Sequence, residues 1–109
     1  QNGGALWPAG DGGAVTGEAG SAARGSWVVM QLAGEAGRIR SARWQCLGPP
    51  VAIAATSWLS TQLPGMTPAE ARAWTALAVV EALDMPRTAV ADVLLVEDAL
   101  AAALDRLEL

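Results

Sequence analysis

Hydrophobic residues alternate along one part of the chain and recur about every 3.6 positions in the rest, and the change falls at Gly48. Before that point, an apolar run at residues 26–33 predicts one β-strand, and the alternating segment Arg38–Leu47 predicts another. The segment 34–37 has glycine at both ends and predicts a turn between them. The two strands are therefore expected to form a β-hairpin.

The segment before the hairpin, residues 1–25, is rich in glycine and alanine and has little regular pattern. It predicts loops around one short strand.

Three helices are predicted after Gly48, where the apolar spacing changes. The first ends before Pro64-Gly65. Its apolar stripe consists of Val51, Ile53, Ala54, Trp58, Leu59 and Leu63. The second begins at the capping box Thr67–Glu70, and the pattern carries it on through Leu77 to Leu83.

The third predicted helix, residues 88–107, is the longest and is amphipathic. Its inward face is expected to carry Val90, Val93, Leu94, Leu100, Leu104 and Leu107. Its outward face is expected to carry Glu97, Asp98, Asp105 and Arg106. Strands that precede helices are typical of the α+β class. The prediction is therefore one domain, residues 1–109, with a small three-stranded antiparallel sheet and helices packed on one of its faces.

Composition narrows the chemistry that this domain can perform. The 109 residues include one cysteine, Cys46, and no histidine, with a formal net charge of −4. A single thiol excludes an intrachain disulfide and an all-cysteine metal site, and without histidine there is no histidine-based nucleophilic catalysis. The acidic balance disfavours nucleic acid as a partner. The longest apolar run is too short to span a bilayer. We therefore expect a cytoplasmic protein that is not an enzyme.

Two features could still carry chemistry. Cys46 shares its strand face with Ala42 and Trp44, which favours a buried apolar thiol over a ligand or redox residue. The pair Glu97-Asp98 lies on the predicted outward helix face and is expected to be solvated.

Four segments in order resemble the scaffold proteins of iron–sulfur cluster assembly, of the IscU and NifU amino-terminal-domain type. They are Asn2-Gly3-Gly4-Ala5-Leu6, the stretch from Ala42-Arg43-Trp44 through Gly48 to Ala52-Ile53-Ala54-Ala55-Thr56-Ser57, Gly65-Met66-Thr67-Pro68-Ala69-Glu70-Ala71, and Val96-Glu97-Asp98-Ala99-Leu100-Ala101-Ala102-Ala103-Leu104. The resemblance spans nearly the whole chain and implies the α+β fold of these scaffolds, an architecture also found in SufE-like proteins. The family's opening helix has no counterpart and is expected to be missing from this bacterial sequence.

The resemblance also places the family's cluster ligands on this chain. The first cysteine falls at Arg24, the aspartate at Ser26, the second cysteine at Pro49 and the histidine–cysteine pair at Ala91-Asp92. No family ligand is retained at these positions. The family's chaperone-recognition stretch corresponds to residues 85–89, which keep only its first proline.

Three hypotheses follow. The first is a degenerate scaffold that binds no cofactor and acts as a non-catalytic binding or regulatory module, with iron–sulfur assembly proteins of the cysteine desulfurase type as partners. The second is an iron or cluster carrier that uses Cys46 and Asp92 across a dimer. The third is a small-molecule binder in which the vacated site and Trp27 or Trp44 form an apolar pocket.

Overall fold

The computed structural model describes residues 14–107, which form three strands followed by four α-helices. The strands are β1 (Val15–Ser21), β2 (Ser26–Glu35) and β3 (Arg38–Leu47). The helices are α1 (Pro50–Gln62), α2 (Pro68–Ala71), α3 (Ala76–Ala82) and α4 (Val90–Arg106). Short 3-10 turns occupy Ala22–Arg24 and Arg87–Ala89. None of the helices among residues 14–107 is long and apolar enough to cross a membrane.

The sheet is antiparallel throughout, in the order β1-β2-β3, and confirms the predicted α+β class. The hairpin between β2 and β3 closes through Ala36 and Gly37, whose φ angles are 56° and 80°. Positive φ at both central residues is typical of the turn that matches the right-handed twist of paired strands. The short strand expected before the hairpin is β1, while residues 1–13 lie outside the described part of the chain.

One face of the sheet is covered by helices, as predicted. Val28, Met30 and their β3 partners Cys46 and Trp44 all belong to the main hydrophobic core. Helix α4 packs against β1 and β2, and α1 packs against β3. At Gly17 the approach of β1 to α4 is close enough to leave no room for a side chain. The packing of α4 on the sheet therefore fixes where the ends of the strands and the starts of the helices lie relative to one another.

The second helix was predicted to be continuous, and this prediction is wrong. The capping box is present, since the Thr67 hydroxyl accepts from the Glu70 amide and the Glu70 carboxylate accepts from the Thr67 amide, but α2 ends at Ala71. A new helix, α3, begins after Thr75, whose hydroxyl accepts a hydrogen bond from the Ala78 amide. Threonine offers the backbone this alternative partner and thereby restarts the helix.

Three residues of the predicted apolar patterns on the helices are exposed, and for Leu94 this corrects an inward assignment. Leu77 and Leu94 are 42% and 45% exposed, and Ala54 is exposed as well. On α4 the buried stripe follows Val93, Val96, Leu100 and Leu104 together with Ala99 and Ala103. Ala99 and Ala103 lie where β1 comes too close for larger side chains. Leu94 lies outside this stripe, on the side of α4 that carries the exposed Asp98 and Asp105.

The outward assignment of Glu97 is a further correction. Its side chain is half-buried, and its Oε1 accepts a hydrogen bond of 2.7 Å from the backbone amide of Ala76. That amide is the first of α3 and has no acceptor within its own helix. Glu97 therefore caps one helix from another, whereas its neighbour Asp98 is exposed as expected.

Replacing Glu97 by alanine is expected to lower the free energy of unfolding by about 1–3 kcal/mol, because a buried amide loses a charged acceptor. Asp98→Ala is the matched control on the same helix and should change it by less than about 0.5 kcal/mol. Urea denaturation of both variants measures the difference. Equal stabilities would show that the Glu97 contact contributes nothing.

Candidate functional site

Four of the five positions that resemble cluster-ligand positions meet at one end of the molecule. Ser26 opens β2, Pro49 is the residue before α1, and Ala91 and Asp92 lie in the first turn of α4. They line a common cavity of about 200 Å³. The fold thus brings strand starts and helix starts together, although the four positions are far apart along the chain.

The wall of this cavity, which we call the ligand-end cavity, is mostly apolar. Its lining residues are Ser26, Leu47, Pro49, Ala52, Ala91, Asp92 and Leu95. Arg24, the fifth position, is exposed in the 3-10 turn before β2 and does not belong to the lining. Leu47, Ala52 and Leu95 were not identified as lining residues from the sequence, because they come from three different elements and no local pattern brings them together.

Asp92 is the only charged group in the lining. Its side chain is exposed, and it forms no ion pair with residues 14–107. Its place in the first turn of α4 is electrostatically favourable, since the amino-terminal end of a helix carries partial positive charge. The Ser26 hydroxyl is the other polar group of the wall, and it has no side-chain hydrogen bond within the described residues.

The donor set of this cavity is a poor match to an iron–sulfur cluster. Such clusters are held mainly by cysteine thiolates. The four lining positions offer a hydroxyl, a proline ring, a methyl group and one carboxylate, and Arg24 offers a cation. Within residues 14–107 there is no group of three or more histidine, cysteine, aspartate or glutamate side chains arranged to hold a metal ion.

Cys46 lies apart from the ligand-end cavity. It is 8% exposed and packs in the core beneath the helices, and it is not one of the cavity-lining residues. Burial raises the pKa of the Cys46 thiol above its ordinary value of 9.0, and a hydrogen bond with Thr56 partly opposes this shift. The structure therefore buries Cys46, as its pattern predicted, in an environment that disfavours the thiolate.

The folded protein should react with iodoacetamide at Cys46 at least tenfold more slowly than the urea-unfolded chain at pH 8, because burial limits both access and ionisation. Because the folded thiol has the raised pKa, it keeps its proton when the unfolded one loses it. Stability should therefore fall as pH rises above about 9. Mass spectrometry follows the alkylation, and Cys46→Ala should remove the pH-dependent loss. Equal rates in the two states would contradict this placement.

The two tryptophans proposed for an apolar pocket do not line this cavity. Trp44 is 3% exposed within the core. Trp27 lies near the start of β2, and its Nε1 donates a hydrogen bond of 3.0 Å to Oε1 of Glu18 on β1. The lining of the ligand-end cavity contains no aromatic residue.

Comparison with known proteins agrees with the fold. The family model for the NifU-like N terminal domain matches residues 1–108, and the chain belongs to this family. Among solved structures, a candidate iron–sulfur cluster assembly scaffold protein for the SUF system of the thermophile Fervidobacterium islandicum AW-1 is similar in fold. The TM-score is 0.65 at 18% identity, over 83% of this chain and 79% of that one. No curated protein matches the chain at comparable significance.

Proposed function

We propose that this protein is a scaffold-fold module of iron–sulfur cluster assembly that holds no cluster and acts by binding rather than by catalysis. One observation carries the proposal. Four of the five positions that resemble the family's ligands converge on one cavity, yet they supply no thiolate and only one carboxylate, Asp92. The chain has the fold of the family but different residue types at the positions of its ligands, and one fold can support different functions.

The module is proposed to work in the cytoplasm, with proteins of iron–sulfur assembly of the cysteine desulfurase type as its partners. Family membership supports this setting. We propose no catalytic residue, because the lining of the ligand-end cavity contains a single ionisable group, Asp92, and neither a thiol nor an imidazole.

The carrier hypothesis, with Cys46 and Asp92 as ligands across a dimer, has weaker support. Cys46 is buried in the core, while Asp92 lies at the ligand-end cavity. Bringing Cys46 to a shared metal would require opening the sheet–helix core around Trp44. The small-molecule hypothesis is favoured by a specific observation, since a cavity of about 200 Å³ is present at the same end.

Anaerobic reconstitution with iron, sulfide and thiol tests the proposal. After desalting, we expect a colourless protein with less than about 0.1 iron per chain, because no soft ligands anchor the iron. Circular dichroism before and after the treatment shows that the chain remained folded. A stable brown protein with near-stoichiometric iron and sulfide would overturn the proposal. Loss of that colour in Cys46→Ala would then favour the carrier.

A further inference from the structure

We propose that the ligand-end cavity binds a small primary amine with a hydrophobic body. This inference rests on the proposed function, because it assigns a ligand class to the site that we propose holds no cluster. Two polar groups lie in an otherwise apolar wall, the Asp92 carboxylate and the Ser26 hydroxyl. An ammonium group satisfies both, since it donates three hydrogen bonds and carries the charge opposite to that of Asp92.

The size of the cavity limits the body of the ligand. An engineered apolar cavity of about 150 Å³ in another protein binds benzene. The ligand-end cavity, at about 200 Å³, therefore has room for one six-membered ring and a short arm. Leu47, Ala52 and Leu95 supply the apolar contacts that such a ring would make. Drug-sized ligands need pockets of about 300 Å³ or more, so they are too large for it.

The charges around the cavity determine whether it favours a cationic or an anionic ligand. Asp92 brings a full negative charge, while the amino-terminal end of α4 brings about half a positive charge. The net field inside the cavity therefore favours a cation. Arg24 lies two residues before Ser26 and Arg87 five residues before Asp92, but neither lines the cavity, so Asp92 is the one charged side chain that a ligand there would contact.

A second cavity among the described residues does not offer the same opportunity. It measures about 120 Å³ and lies beside Trp74, Leu100 and Leu104. Its charged groups are already paired, since Arg72 contacts Asp105 at 2.6 Å and Glu97 accepts from Ala76. A ligand there would compete with existing contacts, whereas Asp92 and Ser26 have none to lose.

The test is a titration of the ¹⁵N-labelled protein with benzylamine at pH 7, followed by amide chemical shifts. We expect saturable shifts confined to residues around the cavity, such as Ser26, Leu47 and Asp92. Benzyl alcohol, which has the same shape without the charge, should bind about threefold to fivefold more weakly, as expected for one solvent-exposed ion pair. Asp92→Asn should bind both compounds equally, while Asp98→Asn, the control on the same helix, should behave like the original protein.

A second variant tests the location independently of charge. Ala91→Leu should fill the mouth of the cavity and abolish the shifts, whereas Ala73→Leu, at an exposed position outside the lining, should leave them unchanged. Tighter binding of benzoate than of benzylamine would overturn the inference, because the helix terminus would then dominate the field. Shifts elsewhere, or none up to the solubility limit, would overturn it as well.

Failure of this inference differs from failure of the proposed function. If the protein stays colourless after reconstitution and does not bind benzylamine, the proposed amine ligand is contradicted and the proposed function is not. If the protein turns brown and holds a cluster, the proposed function is contradicted, whatever the titration shows.

Discussion

Gly17→Ala is expected to destabilise the protein by about 3 kcal/mol, at the upper end of the range for overpacking a well-filled core. A Cβ at position 17 would overlap with backbone atoms of Ala99 and Ala103 and would lie 2.8 Å from the Cα of Ala103. Backbone atoms cannot rotate away as a side chain would. Relief therefore requires moving β1 away from α4, and this opens the core along the whole contact.

Thermal denaturation measures this effect, and a loss of about 3 kcal/mol should lower the melting temperature by about 15 °C in a domain of this size. Gly25→Ala is the control. Its φ is +78° with nothing within 4 Å of the added Cβ, so it tests backbone strain without a clash. That variant should lose about 1 kcal/mol. If Gly17→Ala proved no less stable than Gly25→Ala, the close approach of β1 to α4 would be wrong.

Introducing the family's ligand types at the ligand end is expected to let the protein hold an iron–sulfur cluster. The variant combines Arg24→Cys, Ser26→Asp, Pro49→Cys, Ala91→His and Asp92→Cys. Four of these positions already line one cavity, so two thiolates, a carboxylate and an imidazole would converge there without a change of fold. Arg24→Cys adds the third thiolate in the exposed 3-10 turn, two residues before Ser26. Soft thiolates bind iron and neutralise its charge, which hydroxyls do not.

Reconstitution under the conditions used for the original chain should give near-stoichiometric iron and sulfide, with a visible spectrum that survives desalting. The matched control carries serine instead of cysteine at the three thiol positions, with the aspartate and histidine retained. It should remain colourless, because only the sulfur atoms differ. If the cysteine variant folds and also remains colourless, these positions do not form the ligand shell that the resemblance assigns to them.

The elements that local pattern defines were predicted correctly. Strand Arg38–Leu47 has the bounds predicted from its alternation, and the predicted first helix is α1. The capping box at Thr67 and Glu70 is present as its spacing indicated. These features depend on residues a few positions apart, whose preferences act within a single turn or strand. The order of strands and helices then determined the α+β class.

The candidate site depended on the resemblance more than on pattern. Pattern placed Cys46 in the core, where the structure has it, but no periodicity marks Ser26, Pro49 or Asp92 as neighbours. Their shared cavity arises because a strand start, a helix start and another helix start meet at the same end of the sheet. Which residues fill the wall between them, such as Leu95, follows only from that meeting.

The sequence by itself determined the local elements, the class of fold and the scarcity of metal ligands, because these depend on neighbouring residues and on composition. Only the tertiary structure decided that Glu97 caps α3 and that Leu94 faces solvent. Both depend on contacts between elements distant in the chain. The first amide of α3 has no acceptor in its own helix, and a carboxylate on α4 accepts its hydrogen bond. A glycine on β1 allows α4 to approach so closely that alanines rather than leucines form the contact.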